Sequence, residues 1–174
     1  SKKFIFRRRI LFKNFSFKHS YSENLIIKNL NLEINKGEKI AIVGPSGAGK
    51  STFLDLLICL LKPNKGRLYI DDKDIFRNNL ISEWQNLIAH VPQEIYLIDA
   101  SIYENIAIGV PWEEIDKKKV EKCAKLAMVS SFIEKLPNKY NTVAGERGAK
   151  FSVGQKQRIG IARAFYKDAE ILIL

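Results

Sequence analysis

Gly44-Pro45-Ser46-Gly47-Ala48-Gly49-Lys50-Ser51 fits the pattern G-x-x-x-x-G-K-[ST]. It falls between Lys39-Ile40-Ala41-Ile42-Val43, an apolar run of strand character, and an apolar stretch at 53–61 that reads as a buried helix. Strand, glycine loop and helix in that order make an anion site. The glycines let the backbone turn tightly and bring successive N–H groups toward one point, and the helix opening near Lys50 adds the positive end of its dipole. Lys50 would stand between the terminal phosphates of a nucleotide as a point charge, with Thr52 following in the same helical turn. The Ser51 hydroxyl would be an oxygen ligand of Mg²⁺. A guanine-specific protein would carry Asn-Lys-x-Asp as a base reader. The candidates Asn35-Lys36-Gly37-Glu38, Asn64-Lys65-Gly66-Arg67 and Asn138-Lys139-Tyr140-Asn141 all lack the final Asp, which lowers the guanine reading.

Outward from this loop, short Phe-, Ile- and Leu-rich stretches alternate with turn signals up to about residue 74. Phe15-Ser16-Phe17, Leu30-Asn31-Leu32-Glu33-Ile34 and Arg67-Leu68-Tyr69-Ile70 read as strands, with turns at 35–38 and 63–66. From about 76 to 148 the pattern is richer in helix. Val120, Cys123, Ala124 and Ala127 recur at helical spacing, and Glu121 and Lys125 stand four apart as a surface pair. A helix is expected from Ser152 through Tyr166, then a short apolar strand at 169–174. The fold class is α/β, of the P-loop NTPase kind.

The 174 residues are enough for one domain with a real core, and 46% apolar with 28% charged residues argues against disorder. No run of 18 apolar residues exists, and the first residues lack the apolar core of a secretion signal. Cys59 and Cys123 lie far apart in apolar or helical contexts and read as buried reduced thiols. The net charge of +10 is uneven: residues 1–20 hold seven Lys/Arg and no acid. A body so nearly balanced does not suggest a nucleic-acid grip, so no nucleic-acid partner is expected. The basic arm at 1–9 would be a solvated terminal strand, or a segment lying against an anionic membrane surface.

Further segments resemble one family, the nucleotide-binding domains of ATP-binding cassette (ABC) transporters, over nearly the whole chain from about Ile10. Val91-Pro92-Gln93 is similar to the family's Q-loop, which implies that Gln93 touches Mg²⁺ or the attacking water and senses the transmembrane domains. Phe151-Ser152-Val153-Gly154-Gln155 resembles the signature usually written Leu-Ser-Gly-Gly-Gln, and 156–164 continues the likeness. Without the family, Ser152 is already a good N-cap, and the helix it opens offers donors and positive potential to an anion. By resemblance, Ser152, Gly154 and Gln155 meet the γ-phosphate of ATP held by a second subunit, while Val153 departs from the usual glycine. Asp99-Ala100-Ser101-Ile102-Tyr103-Glu104-Asn105-Ile106 and Ala144-Gly145-Glu146-Arg147-Gly148 look like exporter versions of the segments near the membrane domains. Adenine would stack on His19, by counting back from residues 30–32, or on Tyr21.

The resemblance implies an ABC ATPase fold with an N-terminal antiparallel β subdomain and a helical subdomain over about 76–160, the whole domain running 10–174. It implies ATP and Mg²⁺ as cofactors, with Lys50 and Gln93 in catalytic roles. Its partners would be a second nucleotide-binding domain, head to tail, and transmembrane domains that hold it at the cytoplasmic face of the membrane. Residues 1–9 would then link to those membrane helices. A soluble ABC-type ATPase acting on nucleic acid is the rival, and a truncated module without turnover a third reading. In the family the strand resembling 171–174 is followed by Asp and Glu, and later by a switch histidine; these are absent from the sequence. The expectation is that the C-terminal part of the domain is missing, with weak nucleotide binding at best, negligible hydrolysis and an aggregation-prone sheet edge.

Overall fold

A computed structural model describes residues 4–174; Ser1, Lys2 and Lys3 of the basic arm lie outside the described residues. The chain divides into two compact units, residues 1–87 and 88–174. In the first, four strands form an antiparallel sheet in the order β2-β1-β3-β4: β1 (Arg9–Phe17), β2 (Ile27–Asn35), β3 (Lys65–Ile70) and β4 (Lys73–Asp74).

The buried phenylalanines of β1 explain its irregularity. Phe12, Phe15 and Phe17 all face the core, which strict alternation forbids for Phe12 and Phe15. The register passes from Phe12 opposite Leu32 to Phe15 opposite Leu30, so β1 spends one extra residue there. That bulge turns Phe15 inward and is made at Asn14, with φ +47°. Across it, Gly66 has φ +83°, and a Cβ there would lie 2.2 Å from the Asn14 carbonyl oxygen, so only glycine fits.

The helix after the glycine loop, α1 (Lys50–Leu57), is shorter than the apolar stretch at 53–61 suggests. Cys59 enters a left-handed conformation, φ +61°, which ends the helix and leaves Leu60 exposed. Leu56, Leu57, Ile58 and Cys59 are still buried. A second helix, α2 (Ile81–Asn86), closes this unit: its Trp84 is wholly buried and donates its indole N–H to the Leu57 carbonyl at 2.7 Å. The strand expected at 39–43 does not form. Ile40, Ile42 and Val43 are exposed.

The described part of the basic arm packs on the first unit. Phe4 and Phe6 are buried, and the Phe6 ring meets Trp84 edge-on at 6.2 Å. The Asp71 carboxylate accepts from the backbone N–H of Arg7, Arg8 and Arg9 at 3.0, 2.7 and 3.0 Å.

The second unit pairs β5 (Ile88–His90) with β6 (Ile171–Ile173) in parallel and packs helices around one core: α3 (Ile102–Ile106), α4 (Lys117–Leu126), α5 (Ser130–Ile133) and α6 (Val153–Tyr166). Val120, Cys123, Ala124 and Ala127 form the buried stripe of α4 and its end. Glu121 does not pair with Lys125, because its carboxylate instead accepts the Tyr103 hydroxyl at 2.7 Å. Burial and that carboxylate push the Tyr103 hydroxyl up to about 12. Both cysteines are free and buried, and burial raises Cys59 to about 12. Among the described residues no helix is long and apolar enough to cross a membrane.

Candidate functional site

The glycine loop runs without regular structure into α1, and its conformation suits an anion. Gly47 and Gly49 have φ +80° and +86°, the latter as the residue that opens the helix. At Gly49 a Cβ would meet Ile26 Cγ2 at 2.6 Å, so Ile26 crowds the loop from the side. Apart from Ala48, which donates to Pro45, the amides of 46–49 and of Lys50, Ser51 and Thr52 donate to no protein carbonyl among the described residues. A helix start always leaves its first N–H groups without intrahelical partners. Here the free donors are contiguous with those of the loop. The Lys50 ammonium folds back over them and donates to the carbonyls of Gly44 and Pro45 at 2.8 and 2.7 Å. One lysine therefore holds both ends of the loop together and keeps its charge at the loop mouth. The Ser51 side chain is exposed there. A row of free donors, a helix N-terminus and one cation fit phosphate, and the Ser51 hydroxyl adds an oxygen donor suited to Mg²⁺.

His19 and Tyr21, the two alternatives for an adenine shelf, stack on each other with ring centroids 5.0 Å apart and planes within 5°. Phe17 supports His19 edge-on at 5.0 Å. Tyr21 is 84% exposed, so its outer face is open. Their loop returns through Ile26, whose N–H donates to Phe17 and whose side chain touches Gly49. The aromatic pair and the glycine loop are thus joined through one residue that sequence reasoning passed over.

In the second unit, Ser152 and Gln155 cap α6 reciprocally. The Ser152 hydroxyl accepts from the Gln155 N–H at 3.3 Å, and Gln155 Oε1 accepts from the Ser152 N–H at 2.8 Å. Val153 and Gly154 stand exposed on the first turn, with open space where a Gly154 side chain would be. Val153 is 76% exposed, a branched side chain where the signature it resembles has glycine.

Gln93 lies exposed in the loop after β5. The side-chain amide of Gln157, on α6, donates to the carbonyls of Gln93 and Pro92. Two turns further along, Arg163 donates to the Tyr96 carbonyl at 2.7 Å and to the carbonyl and side-chain oxygen of Asn105 at 2.5 and 2.8 Å. Burial holds the Arg163 guanidinium below its ordinary pKa. Asn105 is fully buried; it also accepts from the Ile98 N–H and donates to the carbonyls of Ile98, Ala100 and Ser101. Neither Gln157 nor Asn105 was marked by motif spacing. Asn105 stands next to Glu104 in Ile102-Tyr103-Glu104-Asn105-Ile106, so no local signal singled it out. Beside this loop lies an apolar groove of about 510 Å³, whose lining includes Pro92, Ile95, Tyr96, Ile108, Val110 and Tyr166. The loop at 145–148 forms a single 3₁₀ turn, with Arg147 strained at φ +51°.

Residues 27–174 match the model of the family described as ABC transporter. The chain is 41% identical over 166 residues to an ATP-dependent lipid A-core flippase of Chromohalobacter salexigens, covering 95% of this chain and 28% of that protein. It is 43% identical over 166 residues to ATP-binding cassette sub-family B member 5 of Mus musculus, covering 95% of this chain and 13% of that protein. Among solved structures, a bacterial Atm1-family ABC exporter with ATP bound superposes with a TM-score of 0.86 at 38% identity, over 97% of this chain and 29% of that one. The chain therefore spans less than a third of the length of these relatives.

Proposed function

Because the chain belongs to the ABC transporter family, as the ATP-binding part of an exporter, we propose that its glycine loop binds Mg-ATP and that this binding drives export by membrane domains. The observation that carries the reading is the loop itself: the N–H donors from Ser46 to Thr52, all free but that of Ala48, with the Lys50 ammonium over them. Gly44 to Thr52 would surround the phosphates, Ser51 and Gln93 would serve Mg²⁺, and Lys50 and Gln93 would act on the reacting phosphate. His19 or Tyr21 would carry the adenine; the open Tyr21 face with His19 stacked behind it supports Tyr21 as the shelf.

A second copy would complete the site, head to tail, by presenting Ser152, Gly154 and Gln155 to the γ-phosphate. The capped α6 terminus supports this, since its free donors and dipole face outward at an exposed Gly154. The apolar groove beside Gln93 suits the cytoplasmic end of a membrane domain, and the chain would then lie at the cytoplasmic face of a membrane. Residues 1–9 would lead from that domain, and 10–174 would be the nucleotide-binding domain. ATP supplies the phosphoryl chemistry and Mg²⁺ neutralises its charge, while this chain's residues bind and orient them.

The test is calorimetric titration of the chain with Mg-ATP beside Lys50→Ala. Loss of the cation should weaken binding at least tenfold, about 1.4 kcal/mol, with little change in melting temperature because the lysine's carbonyl partners are exposed. Equal affinity in both proteins would overturn the reading.

A further inference from the structure

Taking Gln93 and the Ser152 turn as parts of the nucleotide site proposed above, we propose that Gln157 is a positioning residue. It fastens the Gln93 loop to α6, so that Gln93 and the Ser152 turn move as one body. Gln157, Gly160 and Arg163 recur every three residues and so share one face of α6, over a rise of about 9 Å. That face meets residues 91–96. At one end Gln157 donates to the carbonyls of Pro92 and Gln93. In the middle the chain approaches so closely that a Cβ on Gly160 would lie 2.5 Å from Ile95 Cδ1 and 3.3 Å from Val91 Cγ1. At the other end Arg163 holds the Tyr96 carbonyl.

The three fastenings are not equivalent. Ile95 is buried and Tyr96 is tied by a charged donor, so the far end of the loop is held by packing and by Arg163. Pro92 has no N–H to give, and among the described residues every hydrogen bond to the backbone of 92–95 comes from Gln157. Gln93 is exposed and owes its place to that one amide. Gln157 itself lies one turn past Val153, the first residue of the helix that Ser152 caps. A displacement of the Gln93 backbone therefore pulls on the helix turn that presents Ser152 and Gly154. Gln157 touches neither phosphate nor metal, and acts through the loop it holds.

Backbone ¹⁵N relaxation of the 174-residue chain, without nucleotide, tests this. In the unaltered chain the order parameters of Gln93 and Glu94 should approach the rigid value of about 0.85 found along α6. In Gln157→Leu, which keeps the bulk and removes the donor, they should fall below about 0.6. Ile159 to Ala164 should be unchanged, as should the melting temperature. Gln157→Lys, long enough and again a donor, should restore them. If Gln157→Leu gives no dispersed spectrum, Gln157→Glu keeps the length, replaces the donor with oxygen, and is read in the same way. Gln93 and Glu94 equally ordered with and without the donor, or already disordered in the unaltered chain, would overturn the proposal. Since no nucleotide is present, the outcome is independent of the ATP titration with Lys50→Ala, and the two readings fail separately.

Discussion

Asp71 shows how one side chain settles where a basic segment goes. Seven Lys/Arg in the first twenty residues suggest a free, cationic arm. The described part of it instead turns three successive N–H groups onto one carboxylate, with Arg8 also paired to Asp72. Burial alone would raise the Asp71 carboxyl, but the three backbone donors and the Arg8 charge outweigh it and hold it below the usual carboxylate range. A lowered folded-state pKa stabilises the fold at pH values above the unfolded value of about 4, and that contribution is lost as the pH falls through the folded one. Asp71→Asn should therefore cost about 1 kcal/mol at pH 7, a modest figure because the site is partly solvated. The difference from the unaltered chain should narrow below about pH 4 and close in stronger acid. Urea unfolding of both chains at stepped pH measures it; a constant difference across the range would show that the carboxylate charge is not what holds the arm.

At the scale of the element, α6 is the part most readable from sequence and also the part where reading stops. Ser152 followed three residues later by Gln155 announces a reciprocal cap, and the structure forms it. Ser152→Ala should lower stability by about 1 kcal/mol, whereas Ser152→Asp keeps a capping oxygen and suits the dipole, leaving stability near the original. If the turn meets phosphate from a second copy, the added negative charge should nonetheless abolish ATP-dependent association, which sedimentation velocity reads. Association retained in Ser152→Asp would separate the cap from any phosphate role. Gln157, on the same helix, could not be found this way. Local signals such as caps and stripes depend on neighbours a few residues away, while the partner of Gln157 lies 64 residues earlier. The bulge at Asn14 is similar. Phe15 and Phe17 mark a strand, yet the extra residue shows only when β2 supplies the register.

For the whole molecule, the segment 39–43 carries the largest departure from expectation, and it has a physical consequence. Its residues have strand character, but strand propensity expresses itself only where a neighbour supplies the ladder. Here Ile40, Ile42 and Val43 are 51%, 40% and 86% exposed in a run with no charge between them. The two-stranded parallel sheet of β5 and β6 leaves Leu172 and Leu174 39% and 76% exposed, although parallel strands are ordinarily covered on both faces. Short apolar segments with unpaired backbone are templates for pairing with another chain. The 174-residue polypeptide should accordingly self-associate without ATP as its concentration approaches millimolar, above that of the relaxation measurement, because a net charge of +10 opposes association. Ile40→Lys with Ile42→Lys places charge within the run and leaves the glycine loop and its donors intact. Light scattering of the double variant should fall toward that of a monomer, while its Mg-ATP affinity stays within about threefold of the original, under 0.7 kcal/mol. Unchanged scattering would move the association surface to Leu172 and Leu174, where Leu172→Lys then becomes the deciding variant. A loss of ATP affinity would show instead that the run must be apolar for the loop beside it to hold its shape.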